Sequence, residues 1–104
     1  MKAVIVRYRV AEAFVAENAG NIARVLEAHR DAAHPGVRYF ASQDRDDPQA
    51  FVHIGLYEDG AAVDAATNLE SFQEFQAALK ASGLLERPQA TWLTPLGTGF
   101  PFPA

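Results

Sequence analysis

Residues 51 to 57 read Phe51-Val52-His53-Ile54-Gly55-Leu56-Tyr57, and their alternation decides the fold. One set, Phe51, His53, Gly55 and Tyr57, alternates with a second, Val52, Ile54 and Leu56, which is the period of a strand. Neither set is polar. An antiparallel sheet with one free face shows water a polar set. Exposing Val52, Ile54 and Leu56 forfeits several kcal/mol at roughly 25 cal/mol per Å2 of apolar area, comparable to the net stability of a small domain. One face of this strand is therefore expected against helices and the other against a second copy of the chain.

Working upstream, Val37 to Ser42 is again β-rich, and the polar turn Asp44-Arg45-Asp46-Asp47-Pro48 joins it to the quoted strand as a hairpin. The first strand, Ala3 to Val10, sets Val4, Val6, Tyr8 and Val10 on a drier face against Ala3, Ile5, Arg7 and Arg9. Between them Phe14, Ile22, Val25, Leu26 and Ala33 recur at helical spacing until Pro35-Gly36, so a helix is predicted from about Ala13 to Ala33, with Asn18 to Asn21 offering a later start. Downstream, Glu58-Asp59-Gly60 turns the chain into a short helix, Ala61 to Ala66, which breaks at Thr67-Asn68. A longer helix follows with Phe72, Phe75 and Leu79 on one face and Gly83 as its cap. Pro88 precedes a last strand, Gln89 to Leu96. The order β-α-β-β-α-β predicts an α+β, ferredoxin-like fold with both helices on one face of a four-stranded antiparallel sheet. It occupies residues 1–97, and the Pro/Gly-rich tail 98–104 is expected to be irregular and free to lie across a neighbouring subunit.

The chain has 104 residues, 49% of them hydrophobic, enough for one domain with its own core. Thirteen acidic against nine basic residues give a charge of -4, and no basic window collects the cations that phosphate binding needs, so nucleic acid is not an expected partner. The absence of cysteine excludes disulfides and thiolate metal sites. No apolar run approaches the roughly 18 residues of a membrane span, and the N-terminal stretch Met1-Lys2-Ala3-Val4-Ile5-Val6-Arg7 becomes charged again too soon for the apolar stretch of a signal peptide. The reading is a cytoplasmic protein with no membrane contact. There is no Gly-rich phosphate loop and no Gly-x-Ser-x-Gly elbow, so nucleotide, flavin and hydrolase readings lack their usual handles.

Candidate chemistry centres on the same strand. His53 and Tyr57 share a face about 13 Å apart at the usual strand rise. The missing side chain of Gly55 between them leaves room for a flat, partly apolar ligand, although Phe51, His53 and Tyr57 equally fit packing against the helices. Trp92, the one tryptophan, is either core or a flat cavity wall. His29 lies on the inward stripe of the first helix as a core histidine, and His34 in a solvated turn. The three histidines occupy separate elements without a carboxylate at ligand spacing, so no metal site is expected.

The turn His34-Pro35-Gly36-Val37, the passage from Phe51 to Asp59 leading into Ala61-Ala62-Val63, and Phe72 to Phe75 together resemble the antibiotic biosynthesis monooxygenase family. The resemblance implies a dimeric α/β barrel. The strand Ala90-Thr91-Trp92-Leu93-Thr94-Pro95 followed by Gly97 is similar to the branch that oxidises anthrones and other polyketide phenols to quinones with O2, without metal or flavin. It implies a homodimeric, cofactor-independent monooxygenase acting on a small phenolic or polycyclic aromatic molecule. In that branch an asparagine and a tryptophan line the cavity where this chain has His53 and Tyr57, which makes those two the expected catalytic residues. Phe51, Gly55, Phe72 and Trp92 are the expected substrate-binding ones. If His53 makes the phenolate, the rate rises through an imidazole pKa near neutrality. The wider family often carries histidines where this chain has Ala66 and Ser71. That difference keeps open a non-catalytic dimeric module that binds an aromatic ligand, and a polyketide cyclase. The haem-degrading relatives need an asparagine on strand one, and none lies between Met1 and Val10.

Overall fold

A computed structural model describes residues 1–103; Ala104, the last residue assigned to the tail, lies outside the described residues. The elements run β1 (Lys2–Arg9), a 3-10 turn (Glu12–Phe14), α1 (Val15–Ala32), β2 (Val37–Gln43), β3 (Ala50–Tyr57), α2 (Gly60–Thr67), α3 (Glu70–Ala81) and β4 (Glu86–Leu93). The four strands form one antiparallel sheet in the order β2-β3-β1-β4. This is the ferredoxin-like α+β topology, with its second helical segment in two pieces.

Local chemistry accounts for the boundaries. Asp59 caps α2 by accepting a hydrogen bond from the Ala62 amide at 2.9 Å, and Gly83 follows α3 with φ +72°, which a residue with a Cβ adopts at a cost. Asn18 is no cap: it lies inside α1, wholly buried. The last strand begins three residues earlier than predicted, because Pro88 sits within β4 rather than before it. An edge strand tolerates proline, which has no amide proton to donate. The pairing also shifts register here, since Arg7 opposes Gln89 while Arg9 opposes Glu86. The two residues between them, Arg87 and Pro88, oppose the single residue Tyr8 and form a bulge.

The cross-strand register brings distant residues together on the helix-covered face. Tyr39, Gly55, Val4 and Trp92 make one row across the sheet, and Ala41, His53, Val6 and Ala90 make the next. Two apolar clusters sit between this face and the helices. One joins Tyr8, Val10 and Phe51 to Ile22 and Val25 of α1 and Phe75 and Leu79 of α3; the other joins Val4, Val37 and Tyr57 to Ala62 and Ala66 of α2.

The opposite face has no helix. It carries Ile5, Val52, Ile54 and Leu56, with Phe40 and Leu93 exposed. Leu93, Ala3, Leu56 and Arg38 form one row across it. The tail follows β4 and brings Phe102 to Arg38 of β2, the guanidinium carbon lying 5.6 Å from the ring centroid. Beyond β4, Leu96 and Phe100 are exposed.

Candidate functional site

Where the two clusters part, a cavity of about 770 Å3 opens between the sheet and helices α2 and α3. Its walls are largely apolar, drawn from Val6, Val63, Phe72, Phe75, Leu84 and Trp92. Phe72 stacks on Phe75 with ring centroids 6.0 Å apart. The register that pairs Trp92 with Val4 turns the indole to the cavity side, where it is 55% exposed and so a wall rather than core.

The polar end is a row of side chains of which Tyr8, His53 and Tyr39 border the cavity and Asn18 lies behind them. His53, 4% exposed, lies between two phenols: Tyr8 Oη is 2.7 Å from its Nε2, and Tyr39 Oη bonds its Nδ1. Asn18 reaches in from α1 and donates from Nδ2 to Tyr8 Oη at 3.0 Å. A neutral imidazole has one donor and one acceptor, so the row runs in one of two senses. With Asn18 Nδ2 as the donor to Tyr8 Oη, an Nε2–H on His53 would make Tyr8 accept twice and leave its own buried proton unpaired, beside an Asn18 Oδ1 that is buried without a partner as well. In the other sense Tyr8 donates to Nε2, Nδ1–H donates to Tyr39, and only the Tyr39 proton is left over. Tyr39 is partly buried and lines the cavity, so that proton is the one a ligand can accept. Burial holds His53 neutral, its pKa lowered to about 4, and pushes both Tyr8 and Tyr39 well above the usual phenol value. On its other side Tyr39 stacks on His29, with centroids 4.7 Å apart and planes 19° from parallel.

Several expectations change on this geometry. Phe51 does not reach the cavity: it is 3% exposed and stacks on Tyr8 in the core, centroids 5.6 Å apart. Gly55 does border the cavity, but its missing side chain leaves no free space, because the Tyr57 ring folds back over it. A Cβ at Gly55 would stand 2.7 Å from Tyr57 Cζ. Tyr57 closes part of the cavity floor, and Phe72 and Trp92 supply walls. His53 has both nitrogens occupied and a pKa far below neutrality, so a rate rising through an imidazole pKa near 6.5 is not expected. Ala66 is buried in the cluster beneath α2, and neither it nor Ser71 lines the cavity. Among the described residues no three histidine, aspartate or glutamate side chains come together to hold a metal ion.

Tyr39, Tyr8 and Asn18 are functional candidates that the structure adds, and the sequence carries a weaker signal for them. Asn18 falls four residues before Ile22 and seven before Val25, on the inward stripe of α1, where a polar residue needs a buried partner. Tyr8 stands on the drier face of β1. The hairpin register that sets Tyr39 opposite Gly55 follows only once the length of the β2–β3 turn is known.

The fold and site together define a small ferredoxin-like α+β domain with an aromatic-walled cavity between sheet and helices, bordered at one end by phenols and an imidazole. The family model for antibiotic biosynthesis monooxygenase matches residues 1–78, and the chain belongs to that family. Among solved structures, SnoaB, a cofactor-independent oxygenase from Streptomyces nogalater, is 26% identical, with a TM-score of 0.69 over 94% of this chain and 95% of that one. PA3566 from Pseudomonas aeruginosa is 25% identical, with a TM-score of 0.77 over 92% of this chain and 94% of its own. Rv0793 from Mycobacterium tuberculosis superposes with a TM-score of 0.80 at 20% identity, over 95% and 98% of the two chains. No match was found among curated proteins.

Proposed function

We propose that this chain is a cofactor-independent monooxygenase that oxidises a phenolic, polycyclic aromatic substrate of the anthrone type with O2. The observation that carries the reading is the Tyr39 hydroxyl, fixed by His53 and left with one proton for a group in an aromatic-walled cavity. Membership of the family and likeness to SnoaB, described as a cofactor-independent oxygenase, support it. In an anthrone the CH2 between the rings becomes C=O: the substrate gives a proton to water and an electron to O2, oxygen joins the carbon as a hydroperoxide, and water leaves. The balance is CH2 + O2 giving C=O and H2O. The charge that must be stabilised is the enolate oxygen formed first. Tyr39 donates to that oxygen, and donation from His53 Nδ1–H to the Tyr39 oxygen makes its proton the better donor. Asn18 and Tyr8 hold the imidazole in the required tautomer, and the apolar walls keep water from the intermediate. His53 is thus a positioning residue rather than the base.

The pH profile tests this assignment. The neutral imidazole makes both phenol contacts, and a pKa lowered to about 4 keeps it neutral from about pH 6 to about pH 8. The rate of anthraquinone formation at saturating anthrone, corrected for the substrate's own ionisation, should be flat over that range and fall only in more acid solution. A rise with a midpoint near 6.5 would return His53 to the role of base.

The open sheet face supports a homodimer as part of the same reading. Sedimentation at micromolar concentration should give about twice 11.3 kDa, and Ile54→Lys, which puts an ammonium in the centre of the apolar face, should yield monomer or aggregate. A wild-type monomer at that concentration would remove the dimer.

A further inference from the structure

The cavity has charges at its mouth that the oxidation does not use. Lys80, in the last turn of α3, and Arg87, in β4, both border it and both are exposed. Among the described residues no carboxylate lines the cavity and neither cation has an ion-pair partner, the one salt bridge there being Arg9 with Asp47. Two uncompensated positive charges on one opening stand out in a chain of net charge -4. Lys80 alone would be explained by the partial negative charge at a helix C-terminus, but that does not account for Arg87. Its position comes from the bulge opposite Tyr8, where Arg87 and Pro88 together take the place of one residue and both reach the cavity. Bulges re-aim side chains in this way beside binding sites.

From this we infer that the ligand is an aromatic acid, its ring held between Phe72 and Trp92, its phenolic oxygen at Tyr39 and a carboxylate at the mouth between Lys80 and Arg87. The inference rests on the aromatic-cavity reading above and adds the charge of the substrate. A planar guanidinium offers a carboxylate paired donors, and the lysine adds a point charge beside it. Because both groups are wet, their combined effect is about tenfold in affinity rather than a hundredfold.

A hydroxynaphthoic acid and its primary amide are suitable probes, since they share ring and hydroxyl and differ in charge at neutral pH. Binding is read from the quenching of Trp92, the only tryptophan. In the wild type the acid should bind about tenfold more tightly than the amide, and the advantage should shrink as salt is raised. In the Lys80→Gln, Arg87→Gln double variant, both positions being exposed, the acid should fall to the affinity of the amide while the amide is unchanged. Equal binding of acid and amide by the wild type, or a preference that survives in the double variant, overturns the anionic substrate and leaves the aromatic cavity standing. Failure of both probes to bind overturns the aromatic cavity and the inference with it.

Discussion

Replacement of Tyr39 by phenylalanine should lower the turnover of an anthrone about 100-fold, the usual loss when one donor to a developing oxyanion is removed. The variant keeps the ring, its stacking on His29 and nearly all its packing, so the site keeps its shape. It loses the hydroxyl that joins His53 to the cavity. The Nδ1–H of His53 is left without that acceptor, which costs about 1 kcal/mol of stability, or less if a cavity water replaces it. Tyr8→Phe breaks the row one step further back. It leaves the imidazole tautomer unfixed and should slow turnover less, because in the proposed mechanism Tyr8 acts only through His53. The measurement is quinone absorbance under saturating anthrone, with urea unfolding to normalise for folded protein. Equal turnover in wild type and Tyr39→Phe would take this hydroxyl out of the chemistry.

The second large effect concerns Gly55. A methyl group there meets the Tyr57 ring at distances that real Cβ atoms do not adopt, and the ring, packed in one cluster with Val4, Val37 and Ala62, can retreat only toward the cavity that it borders, giving up that packing. Gly55→Ala should cost about 3 kcal/mol, at the upper end for overpacking a core, and Gly55→Leu should not populate the native fold. In a Tyr57→Ala background the obstacle is gone, and Gly55→Ala should then cost little. The double-mutant cycle in urea should therefore give a coupling of about 2 kcal/mol or more. A Gly55→Ala variant as stable as wild type would mean that the space is empty, as the sequence alone suggests.

The sheet was legible because its signals are periodic. Apolar alternation on β1 and β3, the polar run Asp44 to Pro48 and the breaker Pro35-Gly36 are enough to fix the element order. The strand containing Pro88 was less so, because a proline reads as a boundary unless the bulge and the edge position that accommodate it are known. The site was half legible. His53 and Trp92 were drawn to attention by residue type, and both border the cavity. Gly55 reads as a gap because absence of a side chain looks the same in a sequence whether the space is empty or filled by a neighbour. Tyr8 and Tyr39 are 45 and 14 residues from His53, on strands whose relative register no local pattern encodes. The row of hydrogen bonds that turns a buried histidine into support for a tyrosine therefore emerges only in three dimensions.

Oxygen uptake by the purified protein in a metal chelator, with a simple anthrone as substrate, tests the central claim most directly. Uptake well above that of anthrone alone, with one O2 consumed per quinone formed and no dependence on added metal or flavin, is the expected result. Uptake no faster than the uncatalysed reaction, from protein that still quenches Trp92 fluorescence on binding the aromatic ring, would contradict it and make the cavity a binding site without catalysis.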